Sequence, residues 1–372
     1  MNLYHQITKL ICLLLTLLSF TPQAYAGNDT KRVLMVLSGY GQQQGKLTPG
    51  YEFDEFAKAY LIFKDNQLLI DIASPQGGKV SADEYDPNKP YNAEVLADAV
   101  AMKQLNNTLA TGSLKASEYD GVFIVGGKGA MFDLPKDKAL QTLIKDIYQQ
   151  QGSVAAVCHG PAALVDVKLD NGDYLIAGKA INGFTNQEEQ LFGKKWLKEF
   201  EFMLQDKLSE RGGKFQSSPL MLSHVAVDER LITGQNPTST TGVATQLVKQ
   251  LGIKPAKPRS YDEDITLVTI AQYLAGDEQQ LSALSQQTSQ LPLVGMYGFY
   301  YQKIASSAAE QQHALALMTL AQQAINNPVL DMQIAQTQHQ LGLKDEAKST
   351  LTQLLSAKPD YQPALDMLQK HY

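Results

Sequence analysis

Val154-Ala155-Ala156-Val157-Cys158-His159-Gly160-Pro161-Ala162-Ala163 decides the fold. An unbroken run of small apolar residues suits a strand buried on both faces. The run passes directly into a nucleophilic side chain with small neighbours, and Pro161 suits the first turn of a helix. A strand that enters a helix through such a residue makes a strained, sharp turn, a nucleophile elbow that lifts the side chain above the sheet. At a helix N-terminus, backbone N–H groups and the helix dipole favour thiolate over thiol. Cys158 is therefore expected to be nucleophilic near neutral pH.

Outward from the elbow, short apolar runs alternate with helical patterns, the signature of a parallel sheet with helices on its faces. Arg32 to Ser38, Leu68 to Ala73, Gly121 to Val125 and Val154 to Val157 read as strands, and Gly213 to Ser217, Val225 to Asp228 and Leu231 to Thr233 as shorter ones. Glu52 to Lys64, Lys138 to Gln150 and Ser239 to Gln250 read as helices. This α/β unit covers residues 30–252. Residues 253–260, with two prolines and three positive charges, read as a linker.

Residues 261–372 are rich in Gln, Ala and Leu at helical spacing, with no convincing strand. Ile334, Ala335, Gly342, Ala347, Leu351 and Pro359 fall on a helix-turn-helix register that resembles a tetratricopeptide repeat. Met296 to Asn327 is an approximate second copy, so the segment is expected to be an all-α array of helical hairpins. Such an array either caps one face of the α/β unit or offers a groove to a peptide or protein partner. The clustered Tyr297, Phe299, Tyr300 and Tyr301 are expected to pack between helices.

The 372-residue chain is 44% hydrophobic and 19% charged, with a net charge of −6. The helical segment alone, with five lysines, no arginine and eleven acidic residues, accounts for −6. Nucleic acid and anionic lipid are poor partners for such a balance. At the start, Lys9, the apolar run Leu10 to Phe20 and Ala24-Tyr25-Ala26 form the pattern of a cleaved secretory signal peptide over residues 1–26. The run is too short for a membrane span of roughly twenty residues. A periplasmic or secreted location is expected, with no membrane anchor after cleavage. Loss of Cys12 with the signal leaves Cys158 as the only thiol, so no internal disulfide can form.

AAVCHGPAAL, with YDGVFIVGGKGAMFDLP before it and INGFTNQEE and LITGQNPTS after it, resembles the ThiJ/PfpI superfamily of class I glutamine amidotransferase-like proteins. The resemblance covers about Arg32 to Gly252 and points to the glyoxalase III and chaperone-like branch. It implies a flavodoxin-like parallel sheet between helices. Cys158 is then the nucleophile and His159 its partner. Glu55, in GYEFDEFAKAY, is the buried acid beside the sulfur, with Glu52 and Asp54 as alternatives. Glu189, in FTNQEEQ, orients the histidine, with Glu188 as the one-residue alternative. The backbone N–H groups of Gly127 and His159 form an oxyanion hole.

Two departures from the family pattern, Lys128 in the GG-x-G turn and Lys58-Ala59 in place of His-Pro, are expected to put lysines near the mouth of the site. Lys128 is accordingly a candidate substrate-binding residue, and solvated surface is the other reading of both lysines. The resemblance implies a glutathione-independent glyoxalase, of the D-lactate dehydratase type, acting on small aldehydes such as methylglyoxal with no organic cofactor and no catalytic metal. Relatives of this kind often dimerise. Two other readings stay open: a cysteine amidase or peptidase of the PfpI type, and a holdase or peptide-binding protein that uses the helical extension. A true glutamine amidotransferase is disfavoured, since the distal histidine and synthetase partner it needs are not visible. His224, opening a strand, reads as structural, and Asn236-Pro237 as a turn beside the crevice.

Overall fold

The computed structural model describes residues 30–193 and 195–372. The segment read as a signal peptide, residues 1–26, lies outside the described residues. Nine strands are described: β1 Arg32–Val36, β2 Leu69–Ser74, β3 Leu109–Ala110, β4 Gly121–Ile124, β5 Ser153–Val157, β6 Ala180–Ile181, β7 Lys214–Phe215, β8 Val225–Asp228 and β9 Leu231–Gly234. Through the α/β unit run helices α1 Phe53–Asp65, α2 Pro90–Ala97, α3 Ala99–Leu105, α4 Lys138–Gln149, α5 Asn186–Phe192, α6 Leu204–Glu210 and α7 Thr240–Gln250.

Seven strands form the main sheet in the order β3-β2-β1-β4-β5-β9-β8. Every pairing in it is parallel except β8 with β9, so the expected parallel sheet carries one antiparallel edge strand. β6 and β7 make a separate two-stranded sheet. All of β4 and β5 and nearly all of β1 are buried, because helices cover both faces of a sheet built this way. From β1 the chain builds outward through β2 and β3, then returns to the other side of β1 with β4 and β5. Such a reversal of strand order leaves a crevice at the carboxyl ends of the central strands. The segment after β1 leads into α1, so this connection delivers Glu55 to the same end of the sheet as the turns after β4 and β5.

Beyond α7 the chain is all helical: α8 Asp262–Leu274, α9 Gln279–Gln286, α10 Leu291–Gln302, α11 Ala308–Gln322, α12 Pro328–Gln340, α13 Lys344–Ala357 and α14 Gln362–His371. α8 packs with α9, α10 with α11, α12 with α13 and α13 with α14. Ala335 and Ala347 are buried where these helices meet, and Gly342 takes the left-handed turn that ends α12 at φ +80°. A first helical core joins Ile270, Tyr273, Leu284, Val294, Tyr297, Leu317 and Ile334, and it also takes in Leu222 from the α/β unit. A second joins Met332, Ala335, Leu351, Leu354, Ala364 and Met367. No described helix is long and apolar enough to cross a membrane.

Candidate active site

Cys158 follows β5 directly, and its N–H bonds the Gly234 carbonyl at 2.9 Å as the β5–β9 ladder ends. Its φ of +60° lies in the left-handed region, a strained conformation for a side chain with a Cβ that costs about 1–3 kcal/mol. Small neighbours permit it: a Cβ on Gly160 would sit 2.5 Å from the Ile124 carbonyl oxygen. The element after the elbow is a five-residue 3₁₀ helix, Gly160–Leu164, where the sequence suggested an α-helix. So short a turn has little dipole, and burial dominates instead, pushing the thiol up, with the Glu55 carboxyl as the next cause.

His159 is buried, with Nδ1 3.3 Å from Cys158 Sγ and Nε2 2.7 Å from Glu189 Oε2. The ring of Phe184 lies 4.5 Å from the imidazole, centroid to centroid, and that of Phe200 lies 6.2 Å away. Glu189 is carried by α5, whose start is fixed by a capping box between Thr185 and Glu188. Glu188, the alternative for the orienting acid, points elsewhere. Its Oε2 accepts from the Thr185 N–H and hydroxyl, and its Oε1 from Met221 N–H, Gln235 Nε2 and Asn236 Nδ2. It is a buried structural carboxylate, and Asn236 serves it instead of facing the crevice. Gly193, four residues beyond Glu189, leaves the space that the acid fills: a Cβ there would lie 1.7 Å from Glu189 Oε1.

Glu55 reaches the cysteine from the first turn of α1. Its Oε2 accepts the Gly126 N–H at 2.7 Å, and Oε1 is buried with no hydrogen-bond partner among the described residues. A Cβ on Gly126 would come within 2.7 Å of both Cys158 Cβ and Glu55 Oε2, so only glycine lets the acid and the cysteine close on each other. Burial raises the Glu55 carboxyl well above the usual range, followed by the charge of Glu52. This shift favours the protonated form, in which Glu55 faces the sulfur as a neutral donor. In that state its charge no longer disfavours the thiolate, and the Gly127 N–H favours it. Gly127 has φ +94°, and the His159 N–H has no partner among the described residues, which leaves both N–H groups at strand ends beside the sulfur.

The other acids near α1 divide by role. Asp54 is tied down by Lys89 at 2.5 Å, Asn92 at 2.6 Å and the Tyr91 hydroxyl at 3.1 Å. Glu52 sits at the rim, its N–H on the Gly126 carbonyl at 3.1 Å. Burial, with Asp54 and Asp83 adding to it, pushes its carboxyl up to about 7 against the opposing charge of Lys128. Lys128 is thus half-buried at the rim among acids. Lys58 is not at the mouth, and it is not solvated either. It is 5% exposed and lies 2.7 Å from both Glu263 Oε1 and Asp264 Oδ1, with its Nζ 4.7 Å from the centre of the Tyr91 ring.

His224 is structural as expected, with Nδ1 3.0 Å from Ser218 Oγ and its N–H on Ser239 Oγ. Sequence reasoning missed Asp83, which accepts the Gly50 N–H at 2.6 Å beside the rim, because nothing in its loop marks it. It also missed the roles of Gly126 and Gly193. A glycine one turn after a candidate acid is a weak signal that could have pointed to Gly193.

Fold and site together define an α/β protein with a cysteine on a nucleophile elbow, relayed through histidine to glutamate. The DJ-1/PfpI family model matches residues 46–250, and the chain belongs to the DJ-1/PfpI family. The glutathione-independent glyoxalase hsp3101 of Schizosaccharomyces pombe is 32% identical over 235 residues, 59% of this chain and 95% of its own. The glutathione-independent glyoxalase HSP31 of Saccharomyces cerevisiae is 31% identical over 236 residues, 59% of this chain and 98% of its own. Among solved structures, Rapid Encystment Protein 24 KDa of Francisella tularensis matches with a TM-score of 0.56 at 33% identity, covering 60% of this chain and 99% of that one. Glyoxalase III of Candida albicans matches with a TM-score of 0.55 at 25% identity, covering 59% and 97%. The family match ends at Gln250, the last residue of α7.

Proposed function

We propose that this protein is a glutathione-independent glyoxalase that converts methylglyoxal to D-lactate, with Cys158 as nucleophile. The observation that carries the reading is the continuous relay from Cys158 Sγ through His159 to Glu189, with the buried Glu55 carboxyl also beside the sulfur. A sulfur at a residue only 4% exposed suits a three-carbon aldehyde better than a peptide, which disfavours the peptidase reading.

The chemistry balances with the residues present. As Sγ attacks the aldehyde carbon, His159 Nδ1 takes the thiol proton, and the Gly127 and His159 N–H groups receive the oxyanion. Return of that proton to the oxygen gives a neutral hemithioacetal. His159 then removes the hydrogen on the former aldehyde carbon while Glu55 protonates the neighbouring carbonyl oxygen, giving an enediol. Reprotonation at the second carbon by His159, with the hydroxyl proton on the first carbon passing to Glu55, leaves a hydroxyacyl thioester. Water, deprotonated by His159, cleaves it to lactate and restores the thiol. Glu189 holds the imidazole in the tautomer and orientation these steps use.

The test is chiral analysis of product from purified full-length protein and methylglyoxal in glutathione-free buffer. D-lactate is expected from the wild type and none from Cys158→Ala or His159→Ala. A folded wild type with no turnover on methylglyoxal or glyoxal overturns the reading.

A further inference from the structure

The helical extension touches the α/β unit one helical turn from each of the two acids. On α1, Lys58 lies three residues beyond Glu55, on the same side of the helix. Its ammonium is taken up by Glu263 and Asp264 in the first turn of α8, each at 2.7 Å, between the rings of Tyr91 and Tyr261. The Tyr91 hydroxyl extends the network by bonding Glu263 at 2.7 Å and Asp54 at 3.1 Å. On α5, Phe192 lies three residues beyond Glu189, and its ring packs edge-on against Tyr300 of α10 with centroids 4.9 Å apart. A third contact lies beside Glu188: Met221 donates its N–H to that carboxylate, and the next residue, Leu222, is buried in the core of the extension.

We propose that the extension is a brace that sets the positions of Glu55 and Glu189 around Cys158, with Lys58 and Tyr300 as positioning residues for the reaction. The idea rests on the reading of Cys158, His159, Glu55 and Glu189 as a catalytic set. A buried ammonium paired, among the described residues, with carboxylates about 205 positions away fixes α1 to α8 in one register, because separating them leaves charges buried and unpaired. The ring contact at Phe192 does the same for α5 without charge. Misplacing a catalytic group by about 1 Å costs on the order of 10²-fold in rate, so contacts one turn away are close enough to matter.

The experiment uses full-length Lys58→Met, Lys58→Arg and Tyr300→Ala. For each, kcat and KM on methylglyoxal are measured together with the pH profile of Cys158 alkylation by iodoacetamide and circular dichroism. Folded Lys58→Met should lose roughly 10- to 100-fold in kcat with KM within about threefold, shift the alkylation midpoint, and recover in part as Lys58→Arg. Tyr300→Ala should lower kcat several-fold. If Lys58→Met does not fold, Tyr300→Ala decides alone. Wild-type kcat and an unmoved alkylation profile in the folded variants overturn the proposal. If wild type lacks turnover, the glyoxalase reading fails, while a shifted alkylation profile in the variants still supports the brace and an unshifted one still overturns it.

Discussion

Glu189 Oε2 stands 2.7 Å from His159 Nε2, both side chains buried, while the adjacent Glu188 turns away to accept five hydrogen bonds from neutral donors. The two glutamates should therefore fail differently. Glu189→Gln should lower kcat by about 10²-fold or more with little change in thermal stability, since a neutral amide no longer stabilises the imidazolium. Glu188→Gln should lower stability by on the order of 2–3 kcal/mol and leave the folded fraction active. Steady-state kinetics and thermal melts on both variants check the assignment, and interchanged phenotypes contradict it.

Gly193 gives Glu189 its space. Because an added methyl would lie 1.7 Å from Glu189 Oε1, Gly193→Ala should push the carboxylate off the imidazole. Activity should fall towards that of Glu189→Gln although no charged or nucleophilic atom has been changed. Full activity in Gly193→Ala would show that the acid can move without cost.

A neutral Glu55 can be told from an ionised one through the thiol beside it. If Glu55 carries its proton, Glu55→Gln keeps a donor at the sulfur, and the alkylation midpoint of Cys158 should stay within about half a unit. Glu55→Ala removes the donor and should raise the midpoint. A fall of a unit or more in Glu55→Gln would mean that a negative charge had been removed and that the native acid was ionised.

Glu52 should make the protein less stable as pH rises. Its carboxyl is pushed up to about 7, chiefly by burial, from an ordinary 4.5. A raised acid contributes its full stability below about pH 4.5, where folded and unfolded chains are both protonated. That contribution is lost as pH climbs to about 7, because the unfolded chain ionises first. Glu52→Gln escapes this loss. Chemical denaturation should show the variant gaining up to about 3 kcal/mol over wild type between pH 4 and pH 8. A pH-independent difference between the two would place the carboxyl in ordinary solvent.

The core of the fold was legible because β1, β4 and β5 are buried runs with no polar interruption, and the elbow was legible because Gly160 and Pro161 frame one cysteine. The direction of β8 was not, since a four-residue strand reads the same in either sense. The resemblance already pointed to Glu189 ahead of Glu188, and the helix, which turns neighbouring side chains about 100° apart, sends Glu188 to other partners. Lys58 was misread for a deeper reason. A lysine on a helix ordinarily reaches water, and the carboxylates that pair with this one lie about 205 positions further along the chain. The elbow cysteine was expected to draw on a helix dipole, yet five residues of 3₁₀ helix follow it, and its thiol is governed first by burial, then by Glu55, with the Gly127 N–H opposing them.

Catalysis by this route requires Cys158 to form and release a covalent intermediate with an α-oxoaldehyde. Acid-quenching the full-length protein during turnover of methylglyoxal and mapping the adduct by mass spectrometry reads this directly. One three-carbon hydroxyacyl thioester is expected on Cys158, absent in Cys158→Ser and formed at a reduced rate in Glu189→Gln. Lactate production with no adduct on Cys158, or undiminished in Cys158→Ser, would contradict this route.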